Sequence, residues 1–443
     1  MAALFHSATP VADEEELKRA AEKVINNAGF DDFKAKIHRY PAIFRSLMSK
    51  DDRYFVPRCV AIGPYHHRAD HLQRAEEIKR AAAYFFCNDS GHSAKMVYAK
   101  ILTVAGDARR CYDQDAVAGI SQAKFASMMF QDGCFLLQLI IARTTTTAWQ
   151  YLRPWFLANE ESIIRDMFLL ENQVPWPVLD ALMAFMPAPV PVGKFISDLA
   201  KSFELEARPV NFGDDTASPF VLDDQRPAHL LDLLRYYQSG LSEEPSDDGR
   251  RSRTLDSGIT SLPQSSSAID LAEIGVHLTK NRTARFRDMG VGKGIFFYRL
   301  FLTPLVMDDL NACWLLNMVA FEMSLATKYE DDTVMSYVLL IAMLMSREED
   351  VHELRVKRIL HGQFSDQRTL SFFNDLAELI LFTKEHNLLL EDIEVYRRKR
   401  WMWISLYKFI YNNWKYIVTV LSIIGALVGI FKTLFSIEQQ NKQ

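Results

Sequence analysis

From Tyr416 to Ile437 the chain runs twenty-two residues in which Lys432 is the one charge. At about 1.5 Å of helical rise per residue, such a run spans about 33 Å, close to the hydrocarbon thickness of a bilayer. A helix carrying Tyr416, Ile417, Val418, Leu421, Ile424, Leu427, Ile430 and Phe431 is long and apolar enough to cross a membrane once. Lys432 falls near the far end, where its aliphatic stem lets the ammonium reach the headgroups. The alternative is a buried C-terminal helix of a soluble protein, because Gly425 and Gly429 loosen the run and Lys432 interrupts it. The same two glycines form a small-xxx-small pair that lets two apolar helices approach closely, so a homodimer is open as an expectation, on a spacing common by chance.

The flanks give an orientation. Arg397, Arg398, Lys399, Arg400, Lys408 and Lys415 precede the span, whereas only Lys432, Lys442 and the acidic Glu438 mark its far side. Basic residues beside a span are retained in the cytosol, which predicts that residues 1 to about 415 are cytosolic. Trp401, Trp403, Tyr407, Tyr411, Trp414 and Tyr416 crowd the same approach. Their rings suit the headgroup layer, and the basic cluster suits anionic lipid, so membrane lipid is an expected partner through this helix. At the other end, Met1 to Pro10 is weakly apolar and Asp13 to Glu16 is acidic, without the basic start, apolar stretch and small-residue cleavage site of a secretory signal. Insertion is expected to depend on the C-terminal helix, as in a tail-anchored protein.

The rest of the chain is soluble in character. Of 443 residues, 49% are apolar and 24% charged, the balance of a packed globular protein. A net charge of −5 lacks the basic surplus that a phosphate-binding face requires, so no nucleic-acid partner is expected. Cys59, Cys87, Cys111, Cys134 and Cys313 are widely spaced and odd in number, which fits free thiols in a reducing compartment. Two glycosylation sequons, at Asn88 and Asn281, stay unmodified if the orientation is cytosolic.

Helical periodicity dominates the pass along the chain. Apolar positions recur at three-to-four spacing over Glu14–Ala28, 70–86, 93–105, Ser121–Ala142 and Ser162–Phe185, the last interrupted by Pro175 and Pro177. Pro187, Pro189 and Pro191 mark an irregular connection, and Ala228–Gln238 is predicted as a further helix. Residues 240–267 are rich in Ser, charge, Gly and Pro and cannot bury enough surface to offset their ordering entropy, which predicts a mobile loop. Ser252 lies in its basic cluster Arg250–Arg253, where phosphorylation would invert the local charge. Ala268–Val276 is expected to be a short helix, and the aromatic, branched run from Gly294 to Val306 one or two short strands. Helices resume over Asp308–Ser324, Val334–Ser346, Val351–Ile359 and Thr369–His386. No repeat of twenty to fifty residues is present, so a solenoid is not expected. The expected fold is mainly α, with a single helical globular body, a minor short-strand β element and a C-terminal transmembrane helix. Its divisions are an N-terminal helical extension (1–37), the body (38–400), a basic aromatic juxtamembrane segment (401–415), the span (416–437) and a short tail (438–443).

Several segments taken together carry a resemblance. These are Ile62-Gly63-Pro64-Tyr65-His66-His67, Phe125 to Leu139 with Asp132-Gly133-Cys134, and Asp166 to Pro175 with Glu171-Asn172-Gln173. His229 to Leu234, Ser267-Ala268 with Glu273 to Val276, Pro304-Leu305 with Asp308-Asp309, Asn317 and Ala320-Phe321-Glu322 follow in order. Together they cover about residues 38 to 435 and resemble the plant family known as domain of unknown function 247. The resemblance implies a basic, aromatic stretch followed by a C-terminal membrane helix, and no established biochemical activity. Some grass members are implicated in self-incompatibility, a role not carried over to this chain. Two departures stand out: Asn413-Trp414 where a Pro-Trp pair is usual before the span, and Met323 where a glutamine commonly follows Ala-Phe-Glu.

No motif names a reaction. His66, His67 and His71 lie close in sequence, but adjacent side chains point to different faces, so at most two share one ion without a special loop. Hydrogen bonding around the turn at Gly63-Pro64 accounts for them, and no metal or cofactor is expected. Gly290-Val291-Gly292-Lys293-Gly294 lacks the earlier glycine and the hydroxyl residue of a phosphate loop, and reads as a turn feeding the strand. Cys134 sits among Phe130, Phe135, Leu136 and Leu137, where a small thiol packs. Asp166, Glu171 and Glu322 adjoin apolar runs and require partners if buried, with Arg165, Arg235 and Asn317 as candidates. Two hypotheses follow: a non-catalytic interaction or signalling protein at a membrane surface, meeting an unknown protein partner, or a membrane-bound hydrolase using His66, His67 or Cys134.

Overall fold

Four helices begin at serines whose hydroxyls accept the backbone N–H three residues on: Ser93 from Met96, Ser121 from Lys124, Ser267 from Asp270 and Ser365 from Arg368. Each cap satisfies one of the N–H groups that a helix start leaves unpaired. The computed structural model describes residues 37–47, 52–145, 152–200, 227–239, 267–281, 285–293, 298–325, 332–380 and 401–440. The expected helix at Glu14–Ala28, nearly all of the 240–267 loop and the basic cluster Arg397, Arg398, Lys399 and Arg400 lie outside the described residues.

The chain is mostly helical. After α1 (Ala42–Leu47) come α2 (Gln73–Ser90), α3 (Ala94–Arg109) and α4 (Gln122–Thr144). The segment read as one interrupted pattern is two helices, α5 (Arg153–Met167) and α6 (Trp176–Met183), with Pro154 and Pro177 in their first turns, where no N–H is needed. Next follow α7 (Val192–Ala200), α8 (Leu230–Ser239) and α9 (Ala268–Glu273). The expected helix over Ala268–Val276 is therefore shorter. The chain turns at Gly275 with φ +82°, and Val276 already opens a strand.

That strand, β1 (Val276–Lys280), belongs to a three-stranded sheet with β2 (Gly290–Lys293) and β3 (Tyr298–Leu302) in the order β1-β3-β2. β1 runs parallel to β3, pairing Val276 with Tyr298, and β2 runs antiparallel to it, pairing Gly290 with Phe301. The glycine-rich segment expected as a turn is thus a strand. Gly292 lies under the Phe301 ring, where a Cβ would come within 2.7 Å of a ring carbon, so the missing side chain makes room for the aromatic. A second, two-stranded sheet pairs β4 (Leu305–Val306) with β5 (Leu360–His361) in parallel. The remaining helices are α10 (Asp309–Leu325), α11 (Thr333–Met343), α12 (Glu348–Val356) and α13 (Asp366–Ala377).

One hydrophobic core runs through the body from Ile37 to Ile380. In its first half α2, α3, α6 and α7 pack around α4, and in its second half α8, α11 and α5 pack on α10 while α13 packs on α11 and α12. Trp314, Tyr337, Phe125, Phe135, Phe168 and Phe321 are fully buried, each stabilising the fold by about 1.5–3 kcal/mol.

Trp401–Gln440 forms a final helix, α14, of 40 residues, about 60 Å long. The expected juxtamembrane segment and span are thus continuous. Among the described residues, two helical stretches are long and apolar enough to cross a bilayer: α4 and Asn413–Ile430 within α14. They differ in surroundings. α4 is largely enclosed by the body, whereas no residue of the Asn413–Ile430 window is buried in it.

Candidate functional site: a buried polar clamp and an exposed apolar helix

The family-like motifs converge on residues 58–63, which form no regular helix or strand. Backbone N–H groups buried there need acceptors. The carboxylate of Asp166, at the end of α5, accepts from three consecutive ones: Arg58 and Val60 at 2.9 and 3.0 Å and Cys59 at 2.6 Å. Arg165 Nη2 neutralises the same carboxylate at 2.5 Å. Asn172 then substitutes for a neighbouring strand. Its Oδ1 accepts from Ile62 N at 2.7 Å, while its Nδ2 donates to the carbonyls of Val60 at 3.0 Å and Asp166 at 2.9 Å.

Gly63 follows at φ +75°, and its N–H donates to Asp132 Oδ2 on α4 at 2.8 Å. Asp132 is wholly buried and is met from α2 by Lys79, which is itself only 2% exposed. The three ammonium donors of Lys79 meet three acceptors: Asp132 Oδ1 at 2.6 Å, Glu76 Oε1 at 2.5 Å and the Ala61 carbonyl at 3.0 Å. Burial alone would lower the Lys79 pKa, but the Asp132 and Glu76 carboxylates outweigh it and raise it above its ordinary value. Gly133, next to Asp132, is needed for packing, because a Cβ there would run into the Leu182 side chain of α6.

Glu171, 2% exposed, accepts from Tyr40 N and Arg45 Nη2, both at 2.7 Å, while His66 Nε2 stands 3.4 Å away in a geometry short of a hydrogen bond. Burial raises its pKa, but His66, Arg45 and the Tyr40 N–H together hold it below the usual carboxylate range. Gln173 ties three elements together: its Nε2 donates to the Met167 and Leu169 carbonyls at 2.7 Å, and its Oε1 accepts from Leu231 N at 3.1 Å. Further along, Asn317 accepts from Leu170 N at 2.8 Å and donates to Tyr54 O at 3.1 Å. Glu322 binds Arg235 at 3.2 Å and caps α11 through Met335 N at 2.9 Å. Of the candidate partners for these carboxylates, Arg165 meets Asp166 and Arg235 meets Glu322, whereas Asn317 binds backbone instead and Glu171 is met by Arg45.

Sequence reasoning missed Lys79, Arg45 and Asp113. Lys79 had a signal, since Ala75, Ala82, Ala83 and Phe86 place it in the middle of the apolar face of α2, where an unpaired ammonium is untenable. Asp113 and Arg45 had none, because their partners are distant in sequence. Asp113 receives Arg39 N at 2.8 Å, His38 Nδ1 lies 3.1 Å from it, and the Tyr65 hydroxyl stands 2.9 Å from it.

The arrangement can clamp backbone. Each buried carboxylate accepts at least one main-chain N–H and is also met by a cation: Asp166 by Arg165, Asp132 by Lys79, Glu171 by Arg45 and Glu322 by Arg235. His67 Nδ1 meets the Pro64 carbonyl at 2.6 Å and His71 Nε2 the Pro57 carbonyl at 3.1 Å, so both histidines fasten the turn. With His66 directed at Glu171, the three do not converge, and among the described residues no group of three His, Cys, Asp or Glu side chains is placed to hold a metal ion. Cys134 is fully buried, and burial pushes its thiol well above its ordinary pKa, opposite to the shift that activates a nucleophile. All five cysteines are free thiols.

The second feature is α14. Tyr416 is 75% exposed, and Val418, Leu421, Ile424, Leu427 and Ile430 are also exposed to solvent. Ile417 is half-buried, and the Phe431 side chain lies outside those described. Thr419 and Ser422 turn their hydroxyls back onto the Lys415 and Val418 carbonyls at 2.9 Å.

Comparison with known proteins agrees with the motifs. The UPF0481 protein At3g47200 of Arabidopsis thaliana is 24% identical over 389 residues, which cover 82% of this chain and 77% of that protein. No solved structure matches the chain. The profile of DUF247, described as a plant protein of unknown function, matches residues 37–428. The chain therefore belongs to the DUF247 family of plant proteins.

Proposed function

We propose that this protein is a non-catalytic interaction or signalling protein, tail-anchored in a membrane by α14, with its helical body presented to protein partners on the cytosolic side. The observation that carries the reading is the Asn413–Ile430 window, long and apolar enough to cross a bilayer and with none of its residues buried in the body. Moving such a helix from water into hydrocarbon is favourable by many kilocalories per mole, since each large apolar side chain contributes about 1.5–3 kcal/mol. The basic residues before the span favour the cytosolic orientation. The non-catalytic part draws support from the clamp, whose polar groups are occupied by backbone, and from the burial of Cys134.

Two experiments test this reading. Affinity capture from gently solubilised plant membranes, with the full chain and a variant ending at Arg400, is expected to enrich specific proteins with the full chain. Enrichment of none with either would contradict an interaction role. Asn88 is exposed at the end of α2, in the sequon Asn88-Asp89-Ser90. Cytosolic orientation predicts that it carries no glycan, and a glycan there would reverse the topology.

A further inference from the structure

Arg80, Tyr84 and Asn88 recur every four residues along one exposed face of α2. Across from them stand Phe130 and Gln131 of α4 and His92 of the turn into α3, and between them lies a cleft of about 640 Å³. That volume is within the range of small-molecule sites. The cleft has an apolar side and a cationic one. Tyr84, 69% exposed, and Phe130 supply aromatic rings. Arg80 supplies a guanidinium that, among the described residues, has no carboxylate partner, and no acidic side chain lines the cleft.

His92 serves as a wall: its Nδ1 is 2.7 Å from the Ser90 carbonyl and its ring packs edge-on against Phe185. Gln131 is turned toward Ser127 at 3.3 Å. In a protein of net charge −5, the cleft thus sets the Arg80 guanidinium, a planar five-donor fork, beside two aromatic side chains.

We propose that this cleft binds a small organic carboxylate carrying an aromatic ring. The carboxylate pairs with Arg80 in the two-point geometry that guanidinium favours, and the ring packs on Tyr84 and Phe130. The site is separate from the buried clamp and from α14, so its ligand is independent of the membrane anchor.

The test uses full-length protein in lipid nanodiscs, with empty nanodiscs subtracted, and follows saturable binding of 2-naphthoate and its neutral analogue 2-naphthamide by ligand-observed NMR. The expected result is that naphthoate binds about tenfold or more tightly than the amide, and that Arg80→Gln removes the difference while leaving amide binding intact. Both side chains are exposed, so Arg80→Gln and Tyr84→Ala should leave the fold intact, and Tyr84→Ala is expected to weaken both ligands alike. A bulky Ala94→Phe at the rim should weaken both as well. Equal affinity for acid and amide, affinity unchanged in Arg80→Gln, or no saturable binding at millimolar ligand would overturn the proposal. None of these results bears on membrane anchoring.

Discussion

The Gly63 N–H and the Asp132 carboxylate are joined at 2.8 Å across 69 positions of sequence, and the other Asp132 oxygen holds Lys79 at 2.6 Å. This pair explains why a small irregular segment can run through the interior. Asp132→Ala strands a buried ammonium and a buried N–H together, with Glu76 as partial compensation for the lysine. The expected loss is about 3 kcal/mol of unfolding free energy, read from urea denaturation, and a loss below about 1 kcal/mol would contradict the clamp.

Gly63→Ala tests the same turn through the backbone. At φ +75° a side chain costs about 1–2 kcal/mol, and here the added Cβ would also fall 2.8 Å from the Gln173 carbonyl oxygen. Destabilisation of at least about 2 kcal/mol is expected. Gly119 is also at positive φ, but an added Cβ there meets nothing within 4 Å, so the same substitution should lose only the conformational part.

Acid should loosen the clamp from the Glu171 and Asp113 side. Burial opposes ionisation of both, yet Glu171 is held below its usual pKa by His66, Arg45 and the Tyr40 N–H, and Asp113 by His38, the Arg39 N–H and Tyr65. A carboxylate depressed in the folded state contributes stability that is present above its unfolded pKa, about 4, and is lost as pH falls through the lower folded value. Stability is therefore expected to fall below about pH 4. In Glu171→Gln that part of the pH dependence should shrink, as followed by thermal unfolding against pH.

The two apolar helices should respond oppositely to charge. Leu427→Arg places a cation near the middle of the span, at about 2.5–3.5 kcal/mol against insertion, and should lower membrane association without unfolding the body. Leu137→Arg in α4 buries a charge in the core and should unfold the body without altering the anchor. Membrane fractionation and limited proteolysis separate the two outcomes.

The helices were legible because their signal is local, an apolar stripe recurring every three to four residues, whereas Pro177, read as an interruption, instead sits in the first turn of α6. The carboxylates Asp166 and Glu322 were legible as buried and paired because apolar residues surround them in sequence. What escaped depends on distant partners. β1 and β5 are short strands whose pairing is set by segments more than twenty residues away, at Tyr298–Leu302 and Leu305–Val306. β2 carries glycines that signal a turn until Phe301 is seen to occupy the space above Gly292. Arg45 meets Glu171 from 126 positions away, and nothing near either residue announces the other. The cleft at Arg80 was equally hidden, since its opposite walls come from α2 and α4.

Extraction of membranes with alkaline carbonate tests the central claim most directly. The full-length protein is expected to stay with the lipid pellet while the variant ending at Arg400 appears in the supernatant. Release of the full-length protein into the carbonate wash would contradict an inserted α14.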